Sequence, residues 1–541
     1  MSYQFLIKTQ SKSQKKKHHN KTPQTQPIPG KNMLQGGSGG WMFKADPWQT
    51  LRRCLLIGTA QSTYYAEKES LSADFIDILK ASIQKDPVRV AHEIVYASDG
   101  RALNNSAPTL ALVLLSMGDS PEAKQAFRHV FPEVIRTASH FYEWLSYTKG
   151  MRGFGKIVRE VGTTWLSREN VKELAYQLLK YQQRQGFSHR DVLRLFHVKP
   201  PTDEHSELFK WVLKGWETLP KEIPSEALAQ IWWYEWLKRN PEQTHKAITQ
   251  GHLTHEMVTH LGNIDPKAWE LLFREMPVGA LLRHLGSLTQ LGVLTISHKE
   301  NLKRVTDLLT QPKVLRKARI HPIDILKALR TYQSGGQLGK SKKNWIPVPR
   351  IMDSLEQALE LSFEILEPTE KVFMHALDVS GSMSYYTVNS VGLTCCEVAT
   401  AMVLATAKAE HHYLIRGFAT DFRDLKITAK DSFRSALAKA SSQNFGGTDA
   451  SVAYQWMIQH RVKADVICFW TDSESWAGKQ HPSQALAEYR RKVNPQAKAV
   501  YVTLVPNEIS LSDPEDPNSW DLAGFNPSTP RLIQMLAKGK I

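Results

Sequence analysis

Cysteine is nearly absent from this 541-residue chain: Cys54, Cys395, Cys396 and Cys468 form neither a disulfide framework nor a CxxC metal pair. No run approaches the ~18 uninterrupted apolar residues of a membrane span, which excludes a transmembrane helix. The start, MSYQFLIKTQSKSQKKK, lacks the long apolar stretch and small-residue cleavage site of a secretory signal. These absences predict a cytoplasmic protein with no membrane partner. Acidic residues are scarce in places. Lys and Arg exceed Asp and Glu by 69 − 53 = 16, and the excess is local: residues 1–40 hold seven lysines and no acid, 151–200 sum to +6 and 271–350 to +11. Such concentrated charge is the footprint of a polyanion, RNA or DNA before membrane, with solvated helix faces as the alternative.

The chain is too long for one core, and its pattern changes twice. Residues 1–40 are Gln, Lys, Ser, Thr and Pro closing on GGSGG, a composition that predicts a disordered basic tail. Residues 41–366 show helical periodicity almost throughout, as in FIDILKASI, VKELAYQLLKYQQ and HPIDILKALRTYQ, without a fixed repeat. That predicts an irregular stack of helix pairs, a HEAT-like α-solenoid, with a large helical bundle as the alternative. In residues 367–541, apolar runs such as VFMHALDVS, ADVICFWTD and AKAVYVTLVP alternate with amphipathic helices, which predicts an α/β doubly wound parallel sheet.

Catalytic motifs fail on spacing. GGQLGKS has its glycines one residue too close for a phosphate loop, and HEMVTH spaces its histidines five apart where a helical zinc site needs four. DVSGS does carry chemistry. Asp378, Ser380 and Ser382 follow the first strand of the C-terminal domain, Thr448 comes from the Gly-rich FGGTD, and Asp472 ends a later strand. Five hard oxygen ligands at one sheet edge suit Mg²⁺ better than zinc. A phosphotransferase would need a second carboxylate where Ser380 stands, and VSGSM lacks the flanking glycines of a hydrolase elbow. The reading is therefore one divalent ion held for binding, with no catalysis. The set resembles the metal-ion-dependent adhesion site of von Willebrand factor A domains, complete by residue type and order.

The helical segments TLRRCLLIGTAQSTYY, LLKYQQRQGFSHRDVLRLFHVKP, FREMPVGALLRHLG and LRKARIHPIDILKALRTYQSG, with ALDVSGSM, GGTDASVAYQW and TDSESWAGKQHPSQALAEYRRK, resemble the Ro autoantigen family. That family joins a TROVE domain to a von Willebrand factor A domain, and the likeness is to a bacterial-type Ro ribonucleoprotein. The resemblance implies a monomeric helical-repeat ring closed by the A domain and no enzyme activity. It implies small noncoding Y-like RNAs on the outer face and, in the central hole, single-stranded ends of misfolded or structured RNAs, as in RNA quality control. An exoribonuclease partner is implied for bacterial relatives.

The outer-face candidates are Lys156, Arg159, Lys172, Lys180, Arg184, Arg190, Arg194 and Lys199, with His189 and His197 as hydrogen-bonding partners. On a helix beginning near Ser188, Arg190 and Arg194 share one face, and Val192, Leu193 and Phe196 turn inward. Candidates for the central hole are Lys313, Arg316, Lys317, Arg319, Lys327 and Arg330; for the first four, internal salt bridges would look the same. His321-Pro322 reads as a helix start. A second function class stays open: a metal-dependent protein-adhesion module, its A domain gripping an acidic partner on a helical platform.

Overall fold

The computed structural model describes residues 21–58, 68–102, 104–259, 261, 264–318, 320–336, 344–362, 367–385, 387–388, 393–442, 446–524 and 528–540. Helices dominate from Pro47–Ile57 to Pro349–Leu361. Their ends follow local chemistry. Ser120 caps Pro121–Val134 by accepting from the Ala123 amide, and Pro121 supplies a pre-set first turn. Each early helix packs on the next but one: Pro87–Ser98 on Pro121–Val134, and Ser106–Ser116 on Ala138–Met151. That is the stack of helix pairs, HEAT-like in kind, which the periodicity predicts. One departure is a short hairpin, Gln183–Arg184 against Phe187–Ser188, turning at Gln185 and Gly186, both at positive φ.

The C-terminal sheet runs in the order Ser519–Ala523, Lys498–Thr503, Val466–Thr471, Val372–Asp378, His412–Phe418, Phe422–Asp424, parallel except for the last edge strand. Fully apolar strands such as VICFWT are buried on both faces. The helix Cys395–Ala409 covers one face, and Ser451–Gln459 with Pro482–Lys492 covers the other. Chain order reverses between Val372–Asp378 and Val466–Thr471, so a crevice opens at the carboxyl ends of those two strands.

Both ends of the helical stack land on this domain. Pro47–Ile57 packs on Ser519–Ala523, where the fully buried Arg53 ion-pairs with Asp521. At the other end Arg330 pairs with Glu397 at 3.2 Å, and Lys408 pairs with Glu360. One apolar cluster runs from Phe273 and Leu326 through Leu355 to Val398 and Trp470, across the domain boundary. The stack and the C-terminal domain thus close a ring.

The N-terminal expectation needs correcting. Residues 1–20 lie outside the described residues, but 21–40 are a strap on the C-terminal domain rather than a disordered tail. Met33–Gln35 pairs with Trp41–Lys44, which pairs in turn with Ile509–Ser510. Gln24 is buried and exchanges hydrogen bonds with Trp41. The GGSGG turn is needed for contact: a Cβ on Gly40 would sit 2.0 Å from the Ser475 carbonyl oxygen. Polar composition hid this order because backbone pairing, which composition does not report, holds the strap.

Candidate metal centre and nucleic-acid interface

The crevice holds the five oxygen-bearing residues read from DVSGS, FGGTD and the ADVICFWTD strand. Asp378, Ser380, Ser382, Thr448 and Asp472 are all buried. The Ser380 amide donates to Asp378 Oδ1 at 2.9 Å, and the Ser380 and Ser382 hydroxyls lie 3.0 Å apart. Ser382 also hydrogen-bonds the Asp472 carboxylate. The Thr448 carbonyl accepts from the Trp476 and Ala477 amides at 2.9 and 3.0 Å, bringing the Gly-rich loop against the loop that carries Asp472. Thr471, which the motif did not include, donates to Asp378 Oδ2 at 2.7 Å. Its position directly before Asp472 was the available signal.

Burial raises the proton affinity of both carboxyls, and for Asp472 the neighbouring Asp378 charge adds to it. Two carboxylates buried side by side, each costly to charge, form a site that a cation would relieve. Hydroxyl and carboxylate oxygens are the donors that Mg²⁺ takes, so the residues fit such an ion.

The basic segment forms the second candidate site. His189–Phe196 is a helix whose capping box joins Ser188 and Asp191, and Val192, Leu193 and Phe196 are buried as the spacing predicts. A Cβ on Gly162 would meet the Phe196 ring at 2.3 Å, so glycine lets this helix approach Lys156–Leu166. Lys156, Arg159, Arg184, Arg190, Arg194, His197 and Lys199 are exposed. Lys172 is exposed but engaged with Glu226 at 2.6 Å.

Two candidates on this face are corrected. His189 is buried against Tyr142, ring centroids 4.7 Å apart, and burial drives its pKa down to about 3. It is a neutral core residue beneath the face because it lies three, four and seven residues before Val192, Leu193 and Phe196, on the buried side of its helix. Lys180 is largely covered and ion-paired with Glu256 at 3.1 Å. The fold adds Lys214, which lines a shallow cavity with Gln182, Ser188 and Arg190, while Lys238 on the same cavity is engaged with Glu235 at 2.8 Å. Sequence distance concealed them.

For the central-hole set, Lys313, Arg316, Lys317 and Lys327 are exposed, and Arg319 lies outside the described residues. Arg330 is corrected: its pairing with Glu397 makes it a domain-junction residue. His321 caps the helix Pro322–Gln333 by accepting from the Ile323 amide, as its place before proline suggests. GGQLGKS falls largely outside the described residues, as does His260 of HEMVTH. His255 instead meets His284 and Trp269, with ring centroids 4.4 and 6.5 Å away.

Family models match both parts of the chain: a TROVE domain over residues 34–231 and 248–334, and a Ro60 vWA domain over 372–537. The chain belongs to the Ro family. The TROVE match begins inside the strap and omits 232–247, the WWYEWLKRNPEQTHKA segment. A curated relative, RNA-binding protein RO60 of Deinococcus radiodurans, is 32% identical over 527 residues, covering 96% of this chain and 98% of the relative. RNA-binding protein RO60 of Caenorhabditis elegans is 28% identical, covering 94% and 90%. The crystal structure of the Deinococcus radiodurans Ro (Rsr) protein superposes with a TM-score of 0.68 at 31% identity, over 92% of this chain and 100% of that one.

Proposed function

We propose that this Ro chain is a non-catalytic RNA-binding scaffold. The observation that carries the reading is the set Lys156, Arg159, Arg184, Arg190, Arg194 and Lys199: exposed cations on neighbouring segments, none ion-paired with a described carboxylate. The curated relatives' names as RNA-binding proteins support it. Small structured Y-like RNAs dock there mainly through phosphates. Single-stranded ends of misfolded or structured RNA enter the ring, where Lys313, Arg316, Lys317 and Lys327 are the cationic candidates, and an exoribonuclease acts on them in RNA quality control. The ring is monomeric and cytoplasmic, in keeping with four buried free cysteines. Among the described residues no helix is long and apolar enough to cross a membrane.

In the A domain, Asp378, Ser380, Ser382, Thr448 and Asp472 hold one Mg²⁺, directly or through water, as a binding centre. Trp476, 39% exposed beside the Thr448 loop, favours a second role in which this rim grips an acidic protein partner. The test of the RNA reading uses two RNAs, one structured and blunt-ended, one with a free single-stranded 3′ end. Arg190→Ala/Arg194→Ala should lose the first and retain the second. Equal retention of both by the folded double variant refutes the outer site.

A further inference from the structure

The helical end that closes the ring is hydrogen-bonded to the loop that carries Asp472. Arg53, on Pro47–Ile57, is fully buried and ion-paired with Asp521. Its Nη1 donates to the Asn507 carbonyl at 2.7 Å, to Asn507 Oδ1 at 3.1 Å and to the Ile509 carbonyl at 2.8 Å. The same Asn507 side chain turns its Nδ2 the other way and donates to the Asp472 carbonyl at 3.1 Å. A second route leaves the ion pair: Thr503 Oγ1 lies 3.4 Å from Asp521 Oδ1 and 2.8 Å from Ser473 Oγ. The Ser473 amide donates to Thr471 Oγ1 at 3.1 Å, and that hydroxyl holds Asp378. One guanidinium from the helical domain thus reaches the Asp472 main chain through Asn507, and the Asp378 carboxylate through Asp521, Thr503, Ser473 and Thr471. The opposite side of the Asp472 loop is held by the strap, where Ser38 Oγ donates to Glu474 at 2.6 Å.

We infer that Asn507, gripped by Arg53, positions the Asp472 loop, so that closure of the ring seam and occupation of the metal centre stabilise each other. The inference rests on the metal reading above. Asn507 touches no ion; it fixes the backbone of a ligand, as outer-sphere partners of metal ligands do. Arg53 reaches the centre only when Pro47–Ile57 is seated on the A domain. An ion that orders the Asp472 loop therefore favours the seated helix, and the coupling is reciprocal.

The test is Mn²⁺ calorimetry on the full chain, with hydrogen exchange followed in Pro47–Ile57 with and without the ion. Asn507→Ala should bind Mn²⁺ about tenfold more weakly than wild type, the usual scale for an outer-sphere loss. Arg53→Met/Asp521→Asn, which removes both charges together, should weaken binding in the same direction although neither residue is a ligand. Mn²⁺ should slow exchange in the helix of wild type and do so far less in Asn507→Ala. If wild type binds Mn²⁺ while a folded Asn507→Ala binds equally well, or exchange in the helix ignores the ion, the coupling is overturned and the metal centre stands. If wild type binds no Mn²⁺, the metal centre falls and the coupling falls with it. Should the double variant fail to fold, Asn507→Ala, on a half-buried side chain, still decides.

Discussion

Replacing Asp472 by Asn removes one of two buried carboxylates while keeping size and shape. In the metal-free protein both folded-state pKa values are raised above the ordinary 3.8. The folded chain therefore holds these protons more tightly than the unfolded chain. The associated stability is full below pH 3.8 and is lost as pH rises through the folded values. At neutral pH the pair opposes folding. Asn carries no charge to bury or to set against Asp378, so Asp472→Asn should be more stable than wild type in EDTA, by about 1.4 kcal/mol for each pKa unit of raised proton affinity it removes. Mg²⁺ at about 100 times its dissociation constant should add about 2.7 kcal/mol to wild type and little to the variant. With about 2–4 °C per kcal/mol for a domain of this size, Mg²⁺ should raise the wild-type melting temperature by about 5–11 °C and leave that of the variant nearly unchanged. Scanning calorimetry reads both arms. A variant less stable than wild type in EDTA, or equal Mg²⁺ gains, would show that the two carboxylates do not oppose folding or do not hold the ion.

His189 and His375 are buried with pKa values lowered from 6.5 to about 3, so the stability that comes from keeping them neutral is lost as pH falls below 6.5. Each costs about 1.4 kcal/mol per pH unit in that window, and His189→Gln should flatten the acid slope of urea midpoints by one proton's worth. Gly162→Ala places a methyl against Phe196 and should cost about 1–3 kcal/mol by calorimetry, an unchanged melting temperature counting against the close packing. Gly40→Ala should lift the strap from Ser475, read as faster proteolysis within residues 21–44.

The A domain was legible because its signals are local. Apolar strands announce a covered sheet, and DVSGS with Thr448 and Asp472 falls at strand ends that the topology brings to one crevice. The helix His189–Phe196 was equally legible, since Ser188 and Asp191 write its start and Val192, Leu193 and Phe196 its buried side. What sequence could not show depends on partners distant along the chain. Arg330 looks like any exposed cation until Glu397 meets it, and His189 reads as a contact until the first helical turn points it at Tyr142. The strap escaped because its order comes from pairing with Ile509–Ser510, far along the chain from a segment whose composition is that of a linker. Lys214 and Lys238 lie outside the basic clusters, and only the fold sets them beside Arg190.

The most direct test of the RNA-binding account is the salt dependence of affinity for a small structured RNA, measured by titration of wild type and of Arg190→Ala/Arg194→Ala. Each phosphate neutralised adds about 0.7 to 0.9 to the slope of log K against log salt. The account predicts a steep slope for wild type, and for the folded double variant weaker binding with a slope flatter by about one to two units. An unchanged slope and affinity would contradict it.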